Sequence, residues 1–358
     1  MKRMIFHLPM KINTKIHSGS QIRPMKMINA FKNIGYDVEL IMGSIKERKN
    51  QIKQLKEKIN DGNKYDFLYS ESSTMPTALT ENHHLPTAPF LDSSFFNYCR
   101  KKNIKTALFY RDIYWQFDIY KNSISYFKRK ISIFFYKNDL INYNKYIDIL
   151  YLPSVKMHNY FPIRFNGIVK ALPPAVEEKK TNYKTINNIK FIYVGGIGGI
   201  YDLSLFSEVA CSNKNNILNL CVRKNEWKKS SDIYKYENII VHHKSPEELA
   251  EIYNKSDIAI YFIKPNELWN FAMGLKLFEY IAYKKPIIAV KGTAVGEFVE
   301  TNNIGWVIEY KKQVLEELIS KIKNNPSFIQ EKIKNIEKII PYNTWNARAK
   351  QVVNDLSK

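Results

Sequence analysis

Lys276 and Glu279 lie three residues apart in the segment Met273-Gly274-Leu275-Lys276-Leu277-Phe278-Glu279, a spacing that makes them neighbours on one face of a helix. A carboxylate there can accept hydrogen bonds from both hydroxyls of a ribose, and the ammonium can reach a phosphate. The same spacing also suits an ordinary i,i+3 ion pair on an exposed face. Four glycines, Gly195, Gly196, Gly198 and Gly199, follow an apolar stretch at 190–194. Bare backbone at such a point can approach a diphosphate closely, and a helix starting after it adds partial positive charge. The spacing is GGxGG, which departs from the dinucleotide fingerprint, and no acidic residue follows a second strand as that fingerprint requires. Arg223 and Lys228 come just past the next apolar stretch, at 218–222. Fixed cations there stabilise a diphosphate leaving group more in the transition state than in the ground state. In the first half, Asp112 follows Tyr110-Arg111, where it can hydrogen-bond a hydroxyl of a sugar or pair with Arg111. The pairs His83-His84 and His242-His243 have no partners at metal-ligand spacing and read as loop or strand-end residues. No Ser-His-Asp or HExxH pattern is present.

These residues need strand ends and helix starts to hold them, and the chain supplies both. Short apolar runs at 4–8, 38–42, 66–69, 107–110 and 149–152 read as strands, with helices at 23–34 and 45–60 between them and Gly35 capping the first helix. A loop carrying Ser18-Gly19-Ser20 follows the first strand. Pro173-Pro174 and the polar run 177–188 mark a linker, after which the rhythm restarts. Strands are expected at 190–194, 218–222, 239–242, 258–263 and 286–290, helices at 246–254 and 275–282, and a loop with a short helix at 292–300. A final helix covers 344–356, after Pro341. The fold class is therefore α/β, with two Rossmann-like domains facing each other across a cleft. The first spans 1–174 and the second 175–341, with a terminal helix at 342–357 packing back on the first.

The composition agrees with two domains, since 358 residues with 45% hydrophobic content exceed one ordinary core. No run of about 18 apolar residues is present to span a bilayer, and the N-terminal apolar stretch is too short for a signal peptide. Three cysteines without a CxxC pair argue against a disulfide framework or a zinc site, which points to the cytoplasm. The net charge is +21, from 55 basic and 34 acidic residues. An excess of this size attracts phosphates, nucleic acid or anionic lipid, although a Lys-, Asn- and Ile-rich composition accounts for part of it.

The segment from Met273 to Ala289, followed by Gly296-Glu297 and Gly305, resembles the donor half of the family 4 retaining glycosyltransferases with the GT-B fold, of the bacterial polysaccharide biosynthesis type. The resemblance runs from the Gly19 loop to the last helix, and its motifs are degenerate outside 274–305. It implies a retaining, metal-independent hexosyltransferase that uses a nucleotide-sugar, with a UDP-sugar slightly favoured and no cofactor. By residue, it implies that Gly19 lies near the phosphates from the first domain and that Gly195 and Gly196 form the second-domain loop. Arg223 and Lys228 match the cationic pair at the leaving group, Glu279 matches the ribose-binding glutamate, and His242 stands where such enzymes contact the base. The family's first glutamate, eight residues before the second, is replaced here by Phe271, with Glu267 out of register. Sugar recognition must then come from elsewhere, such as the backbone around Met273, Gly274 and Leu275 beside Lys276, or from the first domain. A histidine common in the family after a first-domain strand is replaced within Tyr110-Arg111-Asp112.

Residues 100–145 hold 11 basic and 3 acidic residues. Ile124, Phe127, Ile131, Phe134 and Phe135 recur there at helical spacing around Lys128, Arg129 and Lys130, flanked by Tyr126 and Tyr136. Such a helix can lie on an anionic membrane surface or can be a core-facing stripe with solvated lysines. The first reading makes the protein peripheral on the inner face of the cell membrane, with a saccharide or lipid-linked saccharide acceptor in envelope polysaccharide assembly. Two other classes compete. A GT-B-fold sugar-nucleotide epimerase requires acid/base carboxylates and histidines that are in short supply. A nucleic-acid-binding protein requires a helix-turn-helix, zinc or RNP pattern, and none appears, so no specific nucleic acid is expected.

Overall fold

A computed structural model of the chain describes residues 2–13, 18–177, 179 and 188–357, with the side chains of 246 and 247 left aside. The chain forms two compact units, Met1–Pro174 with Trp345–Lys358, and Ala175–Thr344. Most of the polar run 177–188, read above as a linker, lies outside the described residues.

In the first unit, β1 (Lys2–Leu8), β2 (Tyr36–Met42), β3 (Phe67–Glu71), β4 (Lys105–Phe109), β5 (Ile149–Leu152) and β6 (Ile168–Ala171) form one parallel sheet in the order β2-β1-β3-β4-β5-β6. Each central strand is a continuous buried run, as expected where helices cover both faces of a parallel sheet. The helices are α1 (Gly19–Asn33), α2 (Ile45–Asn60), α3 (Leu91–Lys101), a short α4 (Asp118–Lys121) and α5 (Tyr126–Tyr146). Helix α2 starts with a capping box, in which the Glu47 carboxylate accepts from the Ser44 backbone N–H at 2.7 Å. Helices α2, α3 and α5 pack in sequence as one layer. Buried Arg48 and Asp92 (3.0 Å) tie α2 to α3, and His7 of β1 sits 2.8 Å from the same carboxylate.

In the second unit, β7 (Lys190–Gly195), β8 (Ile217–Val222), β9 (Ile239–His242), β10 (Ile258–Tyr261), β11 (Ile287–Val290) and β12 (Gly305–Ile308) form a second parallel sheet in the order β12-β11-β10-β7-β8-β9. Its helices are α6 (Ser204–Ser212), α7 (Lys224–Ser230), α8 (Ala250–Lys255), α9 (Leu275–Ala282), α10 (Ala294–Thr301), α11 (Lys312–Asn324) and α12 (Ser327–Ile339). The last helix, α13 (Trp345–Leu356), belongs to the first unit and packs on α1. There Arg348 donates to the Pro173 and Pro174 carbonyls, and Asp355 accepts from the Tyr151 hydroxyl at 2.8 Å.

The fold is thus α/β with two Rossmann-like sheets, and both reverse their winding direction at an internal point. From β7 the chain winds to β8 and β9, then returns to the other side of β7 for β10, β11 and β12. Ligands of open parallel sheets bind beyond the strand carboxyl ends at such a reversal, which in this unit is between β7 and β10.

Three local expectations change. Helix α1 begins at Gly19 rather than at 23, so Gly19 is its first residue and not part of a loop. Ser18 takes an extended conformation and ends the approach to the helix. The helix expected at 246–254 is a 3₁₀ turn at Pro246–Leu249 followed by α8. Ile124 precedes α5 and does not belong to its stripe.

Candidate functional site

Helix α9 forms because Leu277, Phe278, Tyr280 and Ile281 bury one side of it in the core of the second unit, and Lys276 and Glu279 stand one turn apart beside that buried side. Gly274 is its N-cap, and Met273, Gly274 and Leu275 remain partly or fully exposed at its start. The helix therefore opens at the carboxyl edge of the sheet, next to the β7/β10 reversal.

Lys276 and Glu279 form no ion pair with each other. The lysine enters a cage of three tyrosines, its Nζ lying 4.5 Å from the Tyr193 ring, 4.5 Å from Tyr261 and 5.1 Å from Tyr201. It donates to the Tyr193 hydroxyl at 3.1 Å. Tyr193 comes from β7 and Tyr261 from β10, so the cage stands at the reversal point itself. Burial pushes the Lys276 ammonium down to about 7, a shift that Glu279 only partly opposes. Cation–π contacts stabilise the charged form without neutralising it, and an anion supplied from outside would complete the site.

The glycine loop lies against this cage. Tyr193 donates to the Gly196 carbonyl at 2.6 Å, and a side chain at Gly195 (φ +147°) would meet the Lys276 chain. Gly198 has φ +85° and lies so close to Ser230 that a Cβ would fall 2.4 Å from its hydroxyl. At these two positions the backbone requires glycine.

Glu279 is raised from the usual carboxylate range by burial. Its carboxylate accepts from the Tyr253 hydroxyl at 3.4 Å, and Tyr253 is itself stacked on Tyr283 with ring centroids 4.1 Å apart. The acceptor atoms of this glutamate are thus held by an aromatic wall.

Arg223 caps the start of α7 at the end of β8, and Lys228 lies one turn later; both are exposed. Arg223 is bound to Glu226 at 2.5 Å, a partner that the sequence reading did not single out. The other oxygen of Glu226 accepts from the Ile197 backbone N–H at 3.3 Å, so this carboxylate links the cation to the glycine loop. His242 ends β9 and contacts the Asn219 amide oxygen at 3.0 Å, and burial lowers its basicity. Phe271 is buried in the core, whereas Glu267 is exposed at the start of a 3₁₀ turn.

In the first unit, Arg111 does not pair with Asp112. Its guanidinium donates to Glu71 and to the Gly19 carbonyl, each at 3.1 Å, while its backbone N–H bonds the Ser72 hydroxyl. Glu71 is fully buried and also accepts from Arg23 and Tyr69. Arg111 is therefore a tie between the start of α1 and the end of β3. Asp112 is left with a carboxyl that burial raises to about 6 despite the neighbouring Arg111.

Three residues of the α5 stripe face solvent. Phe127 is 78% exposed, Phe134 65% and Ile131 53%, whereas Phe135 is half-buried and the flanking Tyr136 is buried, so the core-facing reading holds for that flank only. Lys128 is exposed, Arg129 donates to the Lys121 carbonyl, and Lys130 lies 4.6 Å from the Tyr126 ring. No helix among the described residues is long and apolar enough to cross a membrane. Among the same residues, no group of three or more His, Cys, Asp or Glu is gathered as metal ligands would be.

Residues 178–339 match the family model of the glycosyl transferases group 1. Similar solved structures include sucrose-phosphate synthase from Thermosynechococcus elongatus, with TM-score 0.66, 12% identity, and 99% of this chain and 98% of that one covered. HepE from Anabaena, in complex with UDP and glucose, aligns over 100% of both chains with TM-score 0.59 and 12% identity. A glycosyltransferase from Rickettsia africae aligns over 100% of this chain and 99% of that one, with TM-score 0.63 and 13% identity. No curated protein matches the chain. Identities this low speak to the fold, which is the two-domain GT-B arrangement. Together with the family match over the second unit, that fold makes this protein a glycosyltransferase.

Proposed function

We propose that the enzyme transfers a hexosyl group from a nucleotide-sugar to a saccharide acceptor, with retention at the anomeric carbon and without a metal ion. A UDP-sugar is the favoured donor. The observation that carries this reading is the convergence, at the β7/β10 reversal, of the glycine loop, the caged Lys276 and Glu279. HepE, which has the same fold, has been solved with UDP and with UDP-glucose.

In the bound donor, Glu279 accepts from the ribose hydroxyls and His242 flanks the base. The diphosphate lies over Gly195 and Gly196, and Lys276 and the backbone at Met273, Gly274 and Leu275 donate to it. During transfer the bond between the anomeric carbon and the β-phosphate oxygen breaks. The acceptor oxygen bonds to the same face of that carbon, and its proton passes to the departing phosphate oxygen. Negative charge gathers on the diphosphate as this happens, and Lys276, Arg223 and Lys228 offset it. Asp112 binds a sugar hydroxyl, and the first unit receives the acceptor. The retaining course rests on the resemblance to family 4.

The acceptor is a lipid-linked saccharide of envelope polysaccharide assembly. The enzyme meets it as a peripheral protein on the inner face of the cell membrane, and the solvent-facing α5 stripe with Lys128, Arg129 and Lys130 supports this. A thermal-shift screen against UDP-, GDP- and ADP-sugars tests the donor, and the anomeric configuration of the product, read by NMR, tests the stereochemistry. Stabilisation by none of the three donors, or an inverted product, contradicts the proposal.

A further inference from the structure

Beside α5, on the other flank of α3, the first unit carries a groove of about 340 Å³ between α2 and the start of α3. It is lined by the apolar Ile52, Phe90, Leu91 and Phe95 together with Lys49 and Lys56. No acidic residue lines it. Lys49, Lys53 and Lys56 are spaced by four and three residues, which sets them along one side of α2. Among the described residues none of the three lies within ion-pair distance of a carboxylate. Lys56 instead lies 4.8 Å from the Tyr98 ring.

Two residues of the loop that leads into α3, Phe90 in the groove's lining and Leu85 two positions before its lining residue Thr87, are as unusual as its charge. Phe90 is 67% exposed and Leu85 59% exposed. A large aromatic ring in water next to unpaired ammonium groups has no folding benefit. A soluble anion would use the lysines and leave the rings wet. A bilayer surface uses both, because anionic headgroups meet the lysines while the rings enter the headgroup–acyl boundary.

We infer that this groove is a second membrane contact, which takes the headgroup phosphate of an anionic phospholipid between Lys49, Lys53 and Lys56 and lets Phe90 and Leu85 enter the bilayer surface. The inference rests on the membrane reading of α5 and deepens it. One amphipathic helix leaves the protein free to rotate about its axis on a membrane. A second contact across α3 in the same helix layer fixes the orientation in which the first unit meets a lipid-linked acceptor.

The test uses the full chain labelled with an environment-sensitive fluorophore at Phe90→Cys or at Phe127→Cys; the native Cys99, Cys211 and Cys221 are buried and escape labelling. With vesicles of phosphatidylcholine plus phosphatidylglycerol, both probes shift to the blue. The Lys49→Gln/Lys53→Gln/Lys56→Gln variant loses the shift at position 90 and co-sediments on the order of a hundredfold more weakly, while its UDP-glucose affinity is unchanged. A shift at 127 with none at 90 overturns the groove contact alone. No shift at either position overturns the membrane reading of α5 as well. A shift at 90 with inorganic phosphate and no vesicles assigns the groove to a soluble anion, which also overturns the inference.

Discussion

Lys276 holds its ammonium among three phenol rings rather than beside a carboxylate, and its titration at about 7 follows from that burial. The sign of the consequence is fixed. A bound diphosphate favours the protonated amine, so its pKa is higher in the complex than in the free enzyme. Below about 7 the free enzyme already carries the proton, and donor affinity is flat with pH. Above it, binding must take up a proton, so affinity falls by up to about tenfold per pH unit until the pKa of the complex is reached. Calorimetry in buffers of different ionisation enthalpy checks this, with proton uptake approaching one at pH values above 7 in the wild type and none from this site in Lys276→Met. The same depressed pKa acts on folding. The unfolded chain holds the extra proton between about 7 and the ordinary lysine value of 10.5, so this residue makes stability rise with pH across that window. Glu279→Ala removes a charged acceptor and weakens nucleotide binding by roughly 1.5–3 kcal/mol, measurable in the same titrations.

At the scale of elements, the glycines that mark the family segment divide into two kinds. Gly195 and Gly198 flank the site and are required by their positive φ, and Gly198 also by its close approach to Ser230. Gly296 and Gly305 serve packing, since a Cβ would fall 2.3 Å from the Val290 carbonyl oxygen in one case and 2.0 Å from the Ile287 carbonyl oxygen in the other. Gly305→Ala must push β12 off β11 and is expected to cost about 1–3 kcal/mol, read as a lower denaturation midpoint of the second unit with its donor site chemically intact. The sequence made the strands legible because buried parallel strands are continuous apolar runs, and it made α9 legible because its apolar positions recur at helical spacing. It did not reveal the cage, because Tyr193, Tyr201 and Tyr261 are scattered over 69 positions and meet only when β7 pairs with β10. Glu226 was hidden for a related reason, since an acidic residue three positions after Arg223 reads as a surface pair until the Ile197 N–H is seen to share it. The α5 stripe was ambiguous because period alone does not say which side of a helix is wet. Replacing Lys128, Arg129 and Lys130 by alanine should reduce co-sedimentation with anionic liposomes; unchanged partitioning would leave the exposed rings without a membrane role.

Over the whole molecule, the two units carry different work on similar sheets. The second unit brings the glycine loop, Lys276 and Glu279, proposed above to hold the donor, to its winding reversal, and the first gathers exposed rings and lysines without a carboxylate partner in one helix layer. A net charge of +21 makes any attraction to an anionic surface sensitive to salt. Ligand binding to the folded chain alone raises its stability, by about 2.7 kcal/mol at a hundred times the dissociation constant. The central claim is that the β7/β10 reversal binds a nucleotide-sugar through Lys276 and Glu279. Calorimetric titration of UDP-glucose into the wild type, Lys276→Met and Glu279→Ala tests it most directly. Saturable one-to-one binding by the wild type, weakened in both variants while each keeps the wild-type fold, is the predicted result. Equal affinity for all three proteins would contradict it.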